Sequence, residues 1–152
     1  MKCFEDDHCG GLATVPKAYC EEIRSAIASI EVKATRGAAP NIRDALNKHL
    51  RSCGWSAQIA LSKGSGISIS SIKGPTGLCV QTGGNMARMY ADWLKLQRLY
   101  VNGSITCGAM IVPSKATAKL LGDNIVHASR LVKELAMFNK VIHIPMIVFS
   151  FE

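Results

Sequence analysis

Apolar positions in this chain switch between the spacing of a helix and the spacing of a strand. Between residues 16 and 33, Tyr19, Ile23, Ile27 and Ile30 recur on one helical face, and Pro16 suits a first turn. Gly37 and Pro40 predict a break across residues 35–40. Asn41 then reads as the N-cap of a second helix with the apolar face Ile42, Ala45, Leu46 and Leu50, closed near Gly54. Three short extended segments follow at 58–61, 67–72 and 77–81, divided by Gly64, Gly66 and the Gly74-Pro75 turn, and they predict an antiparallel meander. The strongest helical pattern comes next: Asn85 caps a run in which Met86, Met89, Tyr90, Trp93, Leu94, Leu96, Gln97 and Tyr100 leave a broad apolar face.

Residues 105–112 read as a buried strand stopped by Pro113. Ser114 opens a short helix over 114–121 that closes at Gly122. A further helix is expected over 124–138, and a last apolar strand over 141–151. Pro145 interrupts that strand, and because proline cannot donate to a ladder the strand is expected at a sheet edge or bulged there. Helices on either side of a strand run, with two further strands each following a helix, predict an α/β sandwich: a mixed sheet of about five strands with helices on both faces. No internal repeat or long linker divides residues 1–152, which are expected to form a single domain.

Charge adds a partner to this picture. Eighteen basic residues against eleven acidic ones give a formal net charge of +7, an imbalance that points to a polyanion, with nucleic acid first among them. Between Ala45 and Ala91 there is no aspartate or glutamate, while Lys48, Arg51, Lys63, Lys73 and Arg88 fall in that stretch. No apolar run reaches the length of a membrane span, and the first ten residues are polar and acidic, so no membrane association and a cytoplasmic location are expected. The six cysteines lack tight pairing and are expected to be reduced thiols. Cys3, His8, Cys9 and Cys20 lack the short paired spacing of a zinc knuckle.

The run GLCVQTGGNMARMYADWLKLQRLYVNGSITCGAMIVPSK resembles the BglII and BstYI group of type II restriction endonucleases in its strand ending in Val-Gln, glycine turn, long helix and returning strand. The upstream DALNKHLRSCGW is similar to the helix leading into that core. The resemblance implies a restriction-endonuclease-like fold, a homodimer on double-stranded DNA, and a metal site built from an aspartate followed by a Glu-x-Gln strand. Gln81 stands at the glutamine position of that pattern. Cys79 stands at the glutamate position, and the aspartate falls near Ser70 or Ser71.

A thiol and a hydroxyl replace two hard oxygen anions poorly, since magnesium prefers carboxylates and water. Gln81, Cys79 and Ser70 are therefore expected to be degenerate nuclease positions with no cofactor. Mg²⁺ enters only if the site is active through carboxylates from elsewhere, for which Glu21, Glu22, Asp44 and Asp92 are available. Asp92 also has helical spacing for a surface pair with Arg88 or Lys95. A cysteine-centred chemistry at Cys79 lacks a base, the nearest histidine in sequence being His49.

Candidate DNA contacts are Lys63, Lys73, Arg88, Lys95 and Arg98, with Asn85 in the Thr82 to Asn85 turn, whose backbone amides can hold a phosphate. Neither glycine turn has the lysine and hydroxyl spacing of a nucleotide P-loop. Three readings result: a DNA-binding protein with a degenerate metal site, a magnesium-dependent endonuclease using other carboxylates, and a structural or protein-interaction module that has lost DNA binding.

Overall fold

Two hydrophobic layers sandwich one sheet in the computed structural model, which describes residues 1–152. In chain order the elements are β1 (Cys3–His8), α1 (Gly11–Thr14), α2 (Lys17–Ala28), α3 (Ala39–Ser52), β2 (Ile59–Ala60), β3 (Ser68–Ile69), β4 (Ser71–Lys73) and β5 (Thr76–Val80). Then come α4 (Met86–Val101), β6 (Cys107–Pro113), α5 (Lys115–Leu121), α6 (Ala128–Met137) and β7 (Met146–Phe151). The main sheet has the order β1-β7-β6-β5-β4. Its three inner strands, β5, β6 and β7, run parallel, and the edge strands β4 and β1 pair antiparallel to them. A separate antiparallel ribbon joins β2 to β3.

Every residue of β5, β6 and β7 is buried, which is why these segments read as continuous apolar runs rather than as alternating strands. Side chains still alternate between faces. Leu78, Val80, Ala109, Ile111, Ile147 and Phe149 pack with Ile23 and Ile27 of α2 and with Ile42, Leu46 and Leu50 of α3. Cys79, Met110, Val112, Met146 and Val148 face Met89, Trp93 and Leu96 of α4 and Leu131 and Leu135 of α6. The five-stranded mixed sheet with helices on both faces is thus the expected architecture.

Several local expectations are corrected. The last strand is not at an edge: β7 lies between β6 and β1. Pro145 immediately precedes it, so no ladder donor is lost, and the Pro145 carbonyl accepts from the Gly108 amide at 2.9 Å. The outer place belongs to β1, whose acidic sequence hid it. Only one side of β1 needs a partner, and its register from Cys3↔Phe151 to His8↔Met146 is supplied by β7. The break between the first two long helices ends at Ala38, which rather than Asn41 is the N-cap of α3, and Pro40 fits the first turn because amides there need no intrahelical acceptor. The helix expected over 124–138 is shorter, starting after His127, whose ring accepts from the Arg130 amide.

The meander is interrupted at Ser70, where the chain passes from the ribbon into the main sheet. All six cysteines are unpaired. Cys3 and His8 begin and end the six-residue strand β1, which puts them about 17 Å apart at the rise of an extended chain. No helix is long and apolar enough to cross a membrane.

Candidate nucleic-acid interface

Helix α3 buries Ile42, Leu46 and Leu50, and the same 3.6-residue period turns Arg43, Asn47 and Arg51 outward as a stripe. Across from it, α4 presents Arg88, Asp92 and Lys95. Between these helices lies a cleft of about 500 Å³, floored by Ile69, Ser70, Val80 and Gln81, with Gln58 and Ser68 of the ribbon region closing one side. Its charged lining is Arg43, Arg51, Arg88 and Lys95 against Asp44 and Asp92, so the cleft is cationic. A smaller cavity of about 210 Å³ continues from it, sharing Arg43, Gln81 and Arg88 and adding the turn Thr82, Gly83 and Gly84.

The centre of the cleft is a three-residue constellation. Gln81 follows the last residue of β5, and its amide still pairs with the Ile111 carbonyl at 2.9 Å, so its side chain leaves a rigid strand end. Gln81 Nε2 donates to Asp92 Oδ2 at 2.7 Å, and Lys95 Nζ donates to Asp92 Oδ1 at 2.8 Å. Asp92 is 4 % exposed. A carboxylate withdrawn from water that far is costly unless its oxygens are matched, and here both are.

The glycine turn is fixed from two sides. Thr82 Oγ1 donates to the Ala39 carbonyl at 2.7 Å, and the Gly84 carbonyl accepts from the Val126 amide at 2.8 Å. Both glycines sit at close approaches. A Cβ on Gly83 would stand 2.9 Å from Ala39 Cβ, and one on Gly84 would stand 2.5 Å from Gln81 Oε1. Asn85 then caps α4, its Oδ1 accepting from the Arg88 amide at 3.3 Å, which spends the Asn85 side chain on the helix end.

The sequence candidates divide sharply. Arg88, Lys95, Gln81 and Ser70 line the cleft. Cys79 does not: it is 1 % exposed in the layer beneath α4. Burial pushes its thiol well above the usual value, the nearby Asp92 carboxylate adds to the rise, and Lys95 opposes it. Ser70, between β3 and β4, accepts the Val80 amide on its Oγ at 2.9 Å.

Lys73 is outside the cleft. Its ammonium is held by Glu22 at 2.6 Å and the Cys53 carbonyl at 2.5 Å, above the Tyr19 ring. The guanidinium of Arg98 donates to the Leu61 carbonyl at 3.1 Å, and Lys63 sits on the exposed loop between β2 and β3. Of the candidate acids, Glu22 is committed to Lys73 and Trp55, while Asp44 lines the cleft beside Arg43. His49 lies between Ser25 of α2 and Ser29, the residue that caps that helix, and does not line the cleft.

The sequence reading leaves Arg43, Asn47, Gln58 and Ser68 unnamed and places Arg51 only in the acid-free basic stretch. The signal for three of them was present: Arg43, Asn47 and Arg51 repeat every four residues on a helix whose opposite face is apolar. Gln58 and Ser68 are brought in by the ribbon pairing, which no local pattern announces.

The donor set does not suit the divalent cation implied by the Asp and Glu-x-Gln pattern. Magnesium seeks several oxygen donors with near-octahedral geometry. The cleft centre offers a hydroxyl at Ser70, an amide at Gln81 and a carboxylate at Asp92 already bonded by Lys95 and Gln81, and the other carboxylate of the lining, Asp44, pairs with Arg43. The sulfur of Cys79 is buried away from it.

A family model described as restriction endonuclease BglII/BglIII matches residues 7–151. The crystal structure of restriction endonuclease BglII complexed with a DNA 16-mer is similar in fold, with a TM-score of 0.86 at 11 % identity over 99 % of this chain and 76 % of that one. The structure of free BglII gives a TM-score of 0.77 at 12 % identity over 100 % and 80 %. No curated protein matches the sequence.

Proposed function

Because the chain belongs to the BglII/BglIII restriction endonuclease family, we propose that it is a DNA-binding protein whose metal site is degenerate, gripping duplex phosphates in the cleft between α3 and α4. The observation that carries this reading is the cationic lining of Arg43, Arg51, Arg88 and Lys95 around a carboxylate that is already neutralised. Arginine and lysine on facing walls suit the phosphate backbone, whose contacts position a protein on DNA without reading sequence. BglII itself has been solved on a DNA 16-mer. The protein acts by occupying DNA.

Self-association is part of the proposal. Tyr90, Leu94, Phe138 and Val141 form an exposed apolar patch beside the buried Trp93 and Ile142, with a cavity of about 400 Å³ between them. Leu94 and Val141 are each 60 % exposed, and the buried Trp93 Nε1 has no hydrogen-bond partner. A second copy meeting this patch would bury it and make a two-fold protein suited to a two-fold DNA site.

One observation favours a second reading, a magnesium-dependent nuclease: Asp92 adjoins Gln81 and Asp44 lines the same cleft. Plasmid nicking with magnesium and manganese separates the two. The degenerate-site reading expects no nicking by the natural sequence, and robust metal-dependent nicking abolished by Asp92→Asn would establish the nuclease instead. Duplex binding that fails at low salt would remove both in favour of an interaction module.

A further inference from the structure

We propose that the Lys95 ammonium is a built-in substitute for the divalent cation, so that this protein engages DNA phosphate without any metal. The inference rests on the DNA-binding reading above and adds a regulatory property to it: indifference to divalent ions.

A site built on uncompensated carboxylates repels a phosphodiester until a cation enters to neutralise it. Here the neutralising charge is covalent. Lys95 Nζ lies 2.8 Å from Asp92 Oδ1, three residues along the same helix, so both groups are presented by one rigid element. The other oxygen, Oδ2, is taken at 2.7 Å by Gln81 Nε2, an amide anchored at the end of β5. An incoming magnesium ion would have to displace an ammonium and an amide while losing its own water, against the repulsion of Arg43, Arg51 and Arg88 on the walls.

Burial decides which state persists. Asp92 at 4 % exposure cannot be satisfied by bulk water, whereas the Lys95 side chain, 23 % exposed, still reaches the cleft. An ammonium has three protons to donate. One is used on Asp92, leaving the others available to a phosphate oxygen. The protein's other close lysine-carboxylate pair, Lys73 with Glu22, does not line the cleft.

The test compares labelled duplex binding by the full chain in chelator and in magnesium or calcium at matched ionic strength. Affinity in chelator is expected to equal or exceed that with the ion, within about twofold. Binding at least tenfold tighter with the ion overturns the inference while leaving the DNA-binding reading intact, and binding in neither condition overturns both. Manganese titration by calorimetry supplies a readout without DNA. The natural sequence is expected to show no binding, and Lys95→Met to acquire it while its chelator affinity for duplex falls more than tenfold and recovers with manganese. Tight manganese binding by the natural sequence also overturns the inference. Should Lys95→Met fail to fold by circular dichroism, the comparisons on the natural sequence decide it alone.

Discussion

Replacing Arg43, Arg51 and Arg88 together by methionine removes three cations from the cleft walls while keeping most of their side-chain volume. Each phosphate neutralised by a protein cation contributes about −0.9 to the slope of log affinity against log salt. Four cleft cations therefore give about −3.6 per protomer, so raising salt from about 50 to about 200 mM weakens binding about 150-fold. The triple variant keeps only Lys95; its slope is about −0.9 and the same change weakens it only about 3.5-fold. A control of equal charge separates the cleft from the rest of the surface. Lys2, Lys17 and Lys33 are exposed and do not line the cleft. Replacing those three by methionine lowers the net charge by the same amount, yet should leave the slope near −3.6. Fluorescence anisotropy of a labelled duplex across that salt range measures all three proteins. A wild-type slope in the triple variant, or an equal loss in the control, would refute the cleft as the DNA site and leave only a diffuse effect of overall charge.

Glu22→Gln, by loosening the partly buried pair with Lys73 and the acceptor for Trp55 Nε1, should cost about 2 kcal/mol in urea unfolding; a change under about 0.5 kcal/mol would show the network to be ornamental. Gly84→Ala should turn Gln81 away from Asp92 and cost about 1–2 kcal/mol through crowding, and an unchanged unfolding midpoint would refute the close approach. Leu94→Glu should leave a monomer by light scattering if the α4 patch is the self-association face, and a persisting dimer would move that interface elsewhere. Burial pushes Cys3 up to about 11, with Glu5 adding to the rise and Arg24 opposing it, and Cys79 is also raised well above 9.0. Both thiols keep their protons in the fold after the unfolded chain has released them, so their contribution is complete below pH 9 and is lost as pH rises through the folded values. The fall of the urea midpoint above pH 9 should therefore be smaller in a Cys3→Ser, Cys79→Ala variant, and an identical fall would exclude these thiols as its cause.

Much of the sheet and its helices could be read from sequence because burial on two faces leaves an unmistakable signature. The α4 pattern of Met89, Trp93 and Leu96, and the apolar run of β6, each report a strong local preference. The strand β1 could not be read in this way, since Glu5, Asp6 and Asp7 carry no apolar pattern and the pairing partner lies at the other end of the sequence. Pro145 misled for a related reason: its effect depends on whether the ladder starts before or after it, which is a fact about tertiary pairing.

Of the expected site residues, Arg88 and Lys95 follow from the helical face of α4 and Gln81 from the Val-Gln strand end of the family resemblance, and all three line the cleft. Lys73 lies outside the cleft because its partners, Glu22 and the Cys53 carbonyl, are 51 and 20 residues away in sequence, a pairing no local pattern reveals. The helical spacing of Asp92 and Lys95 announces their pair, which the structure contains, but not that Asp92 is buried in it. Its isolation from water is created by α4 settling onto β5, which no spacing rule encodes.

The position of β7 bears on how the chain reaches this state. That strand pairs with β6 on one side and with β1 on the other, matching Phe151 to Cys3 across 148 positions of sequence. Contacts of such separation are among the slowest to form, because the entropy of closing the intervening loop is lost before the pairing compensates. Until β7 docks, β6 carries a fully apolar, unpaired edge, Cys107–Pro113, that any other extended chain can extend. Refolding yield should therefore fall as protein concentration rises, with intermolecular pairing at β6 competing against the arrival of β7.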